Sequence, residues 1–365
     1  MEIIKSGARF SSIVDIGIRL KQKSIETNSL FLAAHRGINA VTTIDLSQVI
    51  KRIDFNSPEI QNYPPIEGFG YLKKAINQYY FENQANNENI FATIGSALSL
   101  DLVFSILDIN EVLLPEFYWG AYVNILKINK KEFSTYPDFD FLIQNAKYLQ
   151  KKAIIICEPN NPLGSSETDD AIFQVIEVLN KKGITVILDS PYRRVFKSDT
   201  RFYTQMLNFK NVIILESFSK CLGLSGQRIG FLHCSDSEFN QEFRIRLLYA
   251  TNGVNAFAQK LIFELLTSVE GKKAVNDFLE ITNKGIIRNI DFLHHKKLLP
   301  DIFYAKSKPV GIFAVVNKSQ EFLFQNNIGA VNLSFFSKDK EKYQQFSRVC
   351  VSLKPDEFEH FFSKL

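Results

Sequence analysis

With 365 residues, 45% apolar and 22% charged, the chain can bury one large core plus a smaller one and has the composition of a water-soluble globular protein. The net charge of +4 is small, and basic residues fall in short pairs such as Lys151-Lys152 without an aromatic-interleaved run, so nucleic acid is not an implied partner. No stretch approaches bilayer-spanning length, and residues 1–24 lack the apolar core of a signal peptide, so no membrane association or export is expected.

Cys157, Cys221, Cys234 and Cys350 form no close pair, and no Cys/His group has metal-ligand spacing, which points to a reducing cytoplasm and no metal. The first 55 residues show no clear periodicity; Ala33–Asn39 reads as a loop in which Gly37 serves either as an ordinary turn or as a point of close backbone approach to a ligand. A Pro/Gly-rich loop at 61–70 carries Tyr63, which reads first as a surface turn tyrosine. Leu72, Ala75, Ile76 and Tyr79 predict a helix over 71–80. A short strand at 91–94, a Gly95-Ser96 turn and a helix to about 107 leave the amides of Ser96 and Ala97 free at a helix N-terminus, a weak anion-site signal.

Strand 111–114 precedes an aromatic-rich segment holding Tyr118 and Trp119, the only tryptophan; each ring suits a flat ligand or a hydrophobic plug. Strand 152–157 ends in Glu158-Pro159-Asn160-Asn161-Pro162, where prolines restrict the backbone and hold the asparagines. Asn160 reads as a turn residue bonding its own loop. A helix over 168–182 stops at Gly183. Strand 184–188 runs into Asp189, a carboxylate needing a partner such as an arginine or a helix N-terminus, while Arg193 and Arg194 read as solvent-facing. Strands and helices alternate from 91 to 234, which predicts an α/β fold: a mostly parallel sheet with helices on both faces, whose ligand lies at the C-terminal strand ends.

Strand 211–215 delivers the stretch Ser217-Phe218-Ser219-Lys220 through Gly226-Gln227-Arg228-Ile229-Gly230. A lysine at the mouth of a buried strand, beside hydroxyls and an arginine, is either a desolvated Schiff-base amine with an anion cradle or a solvated polar turn. Phe257, Leu261, Leu265 and Val269 predict one long helix joining two domains, and residues 300–365 mix short strands with a final helix, a smaller α+β unit. Arg348, expected just before a strand, suits a carboxylate by its forked donors or is a surface residue. The expected division is an N-terminal segment 1–50 belonging to the small domain, a large domain 51–255 and a small domain 256–365.

In this order, Asn160-Asn161-Pro162-Leu163-Gly164, Asp189-Ser190-Pro191-Tyr192 and Ser217-Phe218-Ser219-Lys220 with Gly226-Gln227-Arg228-Ile229-Gly230 resemble the class I/II aminotransferases, which are fold-type I pyridoxal-phosphate enzymes. The resemblance covers roughly residues 60–355. It implies that pyridoxal 5'-phosphate is bound covalently by Lys220, which also moves the substrate proton, and that Asp189 pairs with the ring nitrogen. Asn161 and Tyr192 would bond the ring's phenolic oxygen; Ser217, Ser219, Arg228 and the amides of Ser96 and Ala97 would hold the phosphate; Trp119, or failing it Tyr118, would stack on the ring. Tyr63, and by the same token Thr251, would reach the phosphate of a neighbouring subunit in a homodimer with shared sites. Arg348, helped by Gly37 and Asn161, would bind the substrate carboxylate. The implied reaction moves an amino group between an L-amino acid and a 2-oxo acid. A β-lyase, decarboxylase or racemase on the same fold and a non-catalytic pyridoxal-phosphate-binding module are the alternatives. Near Leu247 only Arg246 could serve a second substrate carboxylate, which weakens a dicarboxylic substrate.

Overall fold

The computed structural model describes all residues 1–365. Seven strands form one sheet in the order β1-β7-β6-β5-β4-β2-β3: β1 (Ile90–Thr93), β2 (Glu111–Pro115), β3 (Glu132–Tyr136), β4 (Lys152–Cys157), β5 (Thr185–Asp189), β6 (Val212–Ser217) and β7 (Gly230–Cys234). Neighbours are parallel except at β7, which runs antiparallel to both β1 and β6. Side chains alternate along each strand between two cores. Ile154, Val186, Leu188 and Ile214 enter one, while Ala153, Ile155, Ile187, Ile213 and Leu215 enter the other. Apolar residues on both faces require cover on both, and the helices supply it, as a mostly parallel sheet demands. The expected α/β layering is thus present.

A second sheet holds three antiparallel strands, β8 (Phe313–Val316), β10 (Ser347–Cys350) and β9 (Val331–Asn332), with β10 in the middle. Arg348 lies inside β10, not ahead of it, opposite Val315 and Val331. Isolated bridges Leu32–Ile328 and Ala40–Leu353 tie the N-terminal segment to residues around this sheet.

Three local expectations change. Residues 12–27 form a helix that buries Ile16 and Leu20, its apolar stripe diluted by the charged residues of its exposed faces. The single long helix expected after 255 is two, Ala256–Thr267 and Val269–His295. Ser268 breaks it in extended backbone, and its hydroxyl caps the second helix by accepting from the Gly271 amide at 3.0 Å; Val269 consequently lies exposed. Arg193 and Arg194 are buried, not solvent-facing. Arg193 pairs with Asp169 at 2.6 Å and lies over the Phe202 ring, while Arg194 donates to backbone carbonyls, including that of Tyr79 at 2.6 Å. An extended apolar stem, with an ion pair or carbonyl acceptors for part of the fork and aromatic faces against the rest, lets a guanidinium go inside, although Arg193 Nε and Nη1 and Arg194 Nε stay unpartnered.

Candidate active site

Strands β4, β5 and β6 finish side by side, with Cys157 in register with Asp189 and Asp189 with Leu215. The loops that follow therefore open on one side of the sheet. Asp189 emerges at this rim still buried, 2% exposed. Its Oδ2 accepts from the Tyr122 hydroxyl at 2.5 Å, while Oδ1 has no hydrogen-bond partner in the chain. Burial raises the carboxyl to about 6, against the lowering pull of the Tyr122 phenol and of the nearby Ser96 hydroxyl. The partner is a phenol rather than the arginine or helix N-terminus that sequence reasoning looked for. A buried carboxylate with one oxygen unmatched is costly unless an N–H donor meets it.

Lys220 sits in the short Phe218–Cys221 helix that follows β6. Its Nζ donates to the Gly37 carbonyl, and its own carbonyl accepts from Asn39 Nδ2 at 2.9 Å. Burial lowers the ammonium to about 8; Cys350 opposes this, and the Arg228 and Arg348 guanidiniums reinforce it.

A second group lies between the two sheets. Asn161 Nδ2 donates to the Tyr192 hydroxyl at 3.2 Å, and Asn161 Oδ1 accepts from Arg348 Nη1 at 3.4 Å. Arg348 is buried and also donates to the His35 carbonyl. Its guanidinium is packed between Phe313 (4.4 Å) and Phe336 (4.9 Å), leaving Nε without a partner. Burial lowers it below the ordinary guanidinium range. Phe313 also stands edge-on to Tyr192 and fills the space above Gly37, where a Cβ would come 2.5 Å from its ring. The close approach at Gly37 is to the Phe313 ring.

Gly230 organises the third group. It pairs with Thr93 on one side and Ser217 on the other, which sets the Gly95 turn beside the β6 terminus. A Cβ at Gly230 would meet the Glu216 carbonyl at 2.3 Å. Gly95 has φ +98, and a Cβ on it would lie 3.1 Å from Arg228 Nη2 and 3.9 Å from Ser217 Oγ. Ser217 Oγ donates to Ser219 Oγ at 3.0 Å, and buried Ser96 Oγ has no partner. Arg228 reaches across this turn, bonding the Ser225 and Ile94 carbonyls at 3.0 and 3.4 Å. The amides of Ser96 and Ala97 head the Ser96–Ile106 helix here. Hydroxyls, helix-head amides and a guanidinium around one glycine make an anion cradle.

Trp119 stands edge-on to Tyr122, ring centroids 5.4 Å apart, one ring removed from Asp189. Tyr118 is buried against Phe133 instead. Asn160 bonds its own loop, accepting from the Leu163 amide, and also donates to the Phe117 carbonyl at 3.0 Å. Tyr63 is 84% exposed, and Thr251 turns its hydroxyl back to the Leu247 carbonyl at 2.8 Å, so neither joins these groups. Arg246 is paired with Glu242 at 2.6 Å. Tyr122, Phe313, Phe336 and His35 were missed from sequence; Tyr122, three residues past Trp119, had the only local cue, one helical turn of aromatic spacing.

The unmatched acceptor on Asp189, the anion cradle and the depressed lysine amine fit a flat phosphorylated heterocycle with a protonated ring nitrogen and an electrophilic carbon. The family described as aminotransferase class I and II matches residues 37–365. The aspartate aminotransferase of Pyrococcus horikoshii is 27% identical over 238 residues, 61% of this chain and 60% of that relative. The histidinol-phosphate aminotransferase of Pyrococcus furiosus is 26% identical over 216 residues, 58% and 59% of the two chains. The chain thus spans about 60% of the length of these curated relatives. Among solved structures, the aspartate aminotransferase from Thermus thermophilus with maleate superposes with a TM-score of 0.84 at 16% identity, covering 100% of this chain and 99% of the other. An archaeal alanine:glyoxylate aminotransferase gives 0.83 at 19% identity, covering 98% and 95%. At such identity these two similarities speak for the fold.

Proposed function

The chain belongs to the class I and II aminotransferases, enzymes that work with pyridoxal 5'-phosphate, and on that premise we propose that it moves an amino group between an L-amino acid and a 2-oxo acid. The observation that carries this is the buried Asp189 carboxylate, half satisfied by Tyr122, on the strand next to the one that presents Lys220. When bound, pyridoxal phosphate supplies a carbonyl that condenses with amines and a ring that disperses negative charge from an amino-acid Cα.

Asp189, through its free oxygen, would accept from the ring nitrogen and favour its charged form. Asn161 and Tyr192, already bonded to each other, would hold the ring's phenolic oxygen. Ser217, Ser219, Arg228 and the amides of Ser96 and Ala97 would hold the phosphate, and Trp119 would lie against the ring. Lys220 would anchor the cofactor, and its amine, which burial makes easier to deprotonate, would move the proton at the substrate Cα. Arg348, fixed by Asn161, the His35 carbonyl and two phenyl faces, takes the substrate carboxylate with its forked donors, beside Gly37.

We divide the chain into a large cofactor-binding domain, 51–255, and a small one, 256–365 with 1–50; the bridges from Leu32 and Ala40 support the last assignment. The proposed assembly is a homodimer with shared sites. Exposed Tyr63, Ile245 and Tyr249, around the place where Pro64 packs on Gly253, support it. No helix is long and apolar enough to cross a membrane. Four free, buried cysteines support a reducing compartment, the cytoplasm.

The test is a screen of amino acids against the purified holoenzyme. A true donor removes the visible absorbance of the lysine-bound cofactor, and a 2-oxo acid restores it. Release of ammonia or carbon dioxide without restoration assigns a lyase or decarboxylase instead. Failure of every amino acid to change the spectrum leaves a binding module.

A further inference from the structure

A second cavity, of about 550 Å³, lies beside the edge strand β3, between the Gly120–Ile128 helix and residues 331–340. Arg9, Lys127, Lys338 and Lys340 all line it, and no Asp or Glu does. None of the four forms a salt bridge, whereas the buried Lys73 and Arg193 are each paired with a carboxylate. Two are held in place by backbone: Lys338 Nζ donates to the Phe133 carbonyl at 2.9 Å, and Lys340 Nζ to the Ser334 carbonyl at 2.8 Å. The Arg9 amide donates to Asn124 Oδ1 at 3.0 Å, which brings the N-terminal segment over the cavity. Burial and the nearby charges of Arg9 and Lys127 pull the Lys340 ammonium below its ordinary range, so these cations repel one another. No carboxylate lines the cavity to offset that repulsion directly.

We propose that this cavity binds a small phosphorylated molecule carrying at least two negative charges. Four unpaired cations with two of their ammonium groups fixed suit clustered phosphate oxygens, and the aromatic wall of Phe133 and Phe335 suits a flat ring attached to them. The volume admits a molecule of nucleotide size. The site is separate from the proposed cofactor cradle around Gly95 and does not depend on the assigned reaction. It does share a strand with it: Val331, on the cavity wall, is the register partner of Arg348.

The holoenzyme, with cofactor bound so that the Gly95 cradle is occupied, is titrated calorimetrically with ATP and separately with inorganic pyrophosphate. Saturable binding that weakens as salt is raised is expected. Lys127→Gln with Lys340→Gln should weaken it roughly tenfold or more, since each removes a charged hydrogen-bond donor. Folding of that variant is checked by its melting temperature and retained cofactor absorbance. Lys127→Glu alone, at a half-buried helix position, should abolish pyrophosphate binding. Binding of ATP but not pyrophosphate assigns the ring wall a part in recognition; binding of both assigns the phosphates alone. No saturable binding of either probe, or equal binding by wild type and Lys127→Glu, overturns the proposal.

Discussion

The Tyr122 hydroxyl donates to Asp189 Oδ2 at 2.5 Å from within a fully buried pair. The phenol is raised well above its ordinary range, chiefly by burial and then by the carboxylate, so it stays a donor throughout the working pH range. It steadies one Asp189 oxygen and leaves the other free. Tyr122→Phe keeps the ring against Trp119 and removes only this bond. Because burial already holds Asp189 near 6, loss of the donor raises it further. A charge-assisted hydrogen bond of about 1.5–3 kcal/mol corresponds to one to two pH units. In the cofactor-free protein the Asp189 titration, followed by NMR, should therefore move up by about one unit, and a titration superposable on wild type would refute the coupling.

Lys220→Ala should abolish turnover and the visible absorbance of covalently held cofactor. The fold should survive, since the side chain donates only to the Gly37 carbonyl. Circular dichroism and a spectrum settle both points; an active, yellow variant removes Lys220 from its role. Asp189→Asn should retain cofactor and lose rate by several orders of magnitude.

Arg348→Lys exchanges a fork sandwiched between Phe313 and Phe336 for a point charge that cannot span the Asn161 oxygen and the His35 carbonyl. KM for the amino acid should rise roughly 10–100-fold, a loss of about 1.4–2.8 kcal/mol of binding. The cofactor spectrum should not change. Steady-state kinetics with an unchanged KM would show that the carboxylate is bound elsewhere.

Glu216 is buried, accepts from Tyr203 at 2.5 Å and Ser190 at 2.9 Å, and is raised to about 8 chiefly by burial. A carboxyl whose folded pKa lies above its unfolded value binds more protons folded than unfolded between those values. Stability is therefore lost as pH rises from about 4.5 through 8. Glu216→Gln keeps an acceptor for both hydroxyls and has no charge to bury. It should melt higher than wild type at pH 9, by a margin on the order of a few kcal/mol, and the margin should close at pH 5. Calorimetry at the two values checks this; a constant difference would exclude the linkage.

Gly230→Ala places a methyl group 2.3 Å from the Glu216 carbonyl, in the centre of β6–β7 pairing. Backbone cannot yield as a flexible side chain does, so a cost of about 1–3 kcal/mol is expected. The same separation should widen the Gly95 cradle, and cofactor affinity measured by dialysis should fall along with the melting temperature. A stable variant with full affinity would mean the two loops are held by other contacts.

Read alone, the chain determines most of its strands, their mostly parallel arrangement and the sheet rim at which Gly95, Trp119, Asn161, Asp189 and Lys220 are expected to gather; it determines neither the strand order, nor β3 at the edge, nor the reversal of β7. Buried strands are written in contiguous apolar runs, and their following turns in glycine, proline and polar residues, so both are local signals. Only the tertiary structure decided who partners whom. Tyr122 reaches Asp189 from another element, Arg193 and Arg194 go inside because Asp169, Phe202 and distant carbonyls receive them, and Phe313 packs onto Gly37, Tyr192 and Arg348 from the second sheet. A charge or a ring carries no mark in sequence of what will face it. Its partners lie many residues away, and burial is affordable to it only once the whole fold has brought them within a few ångströms.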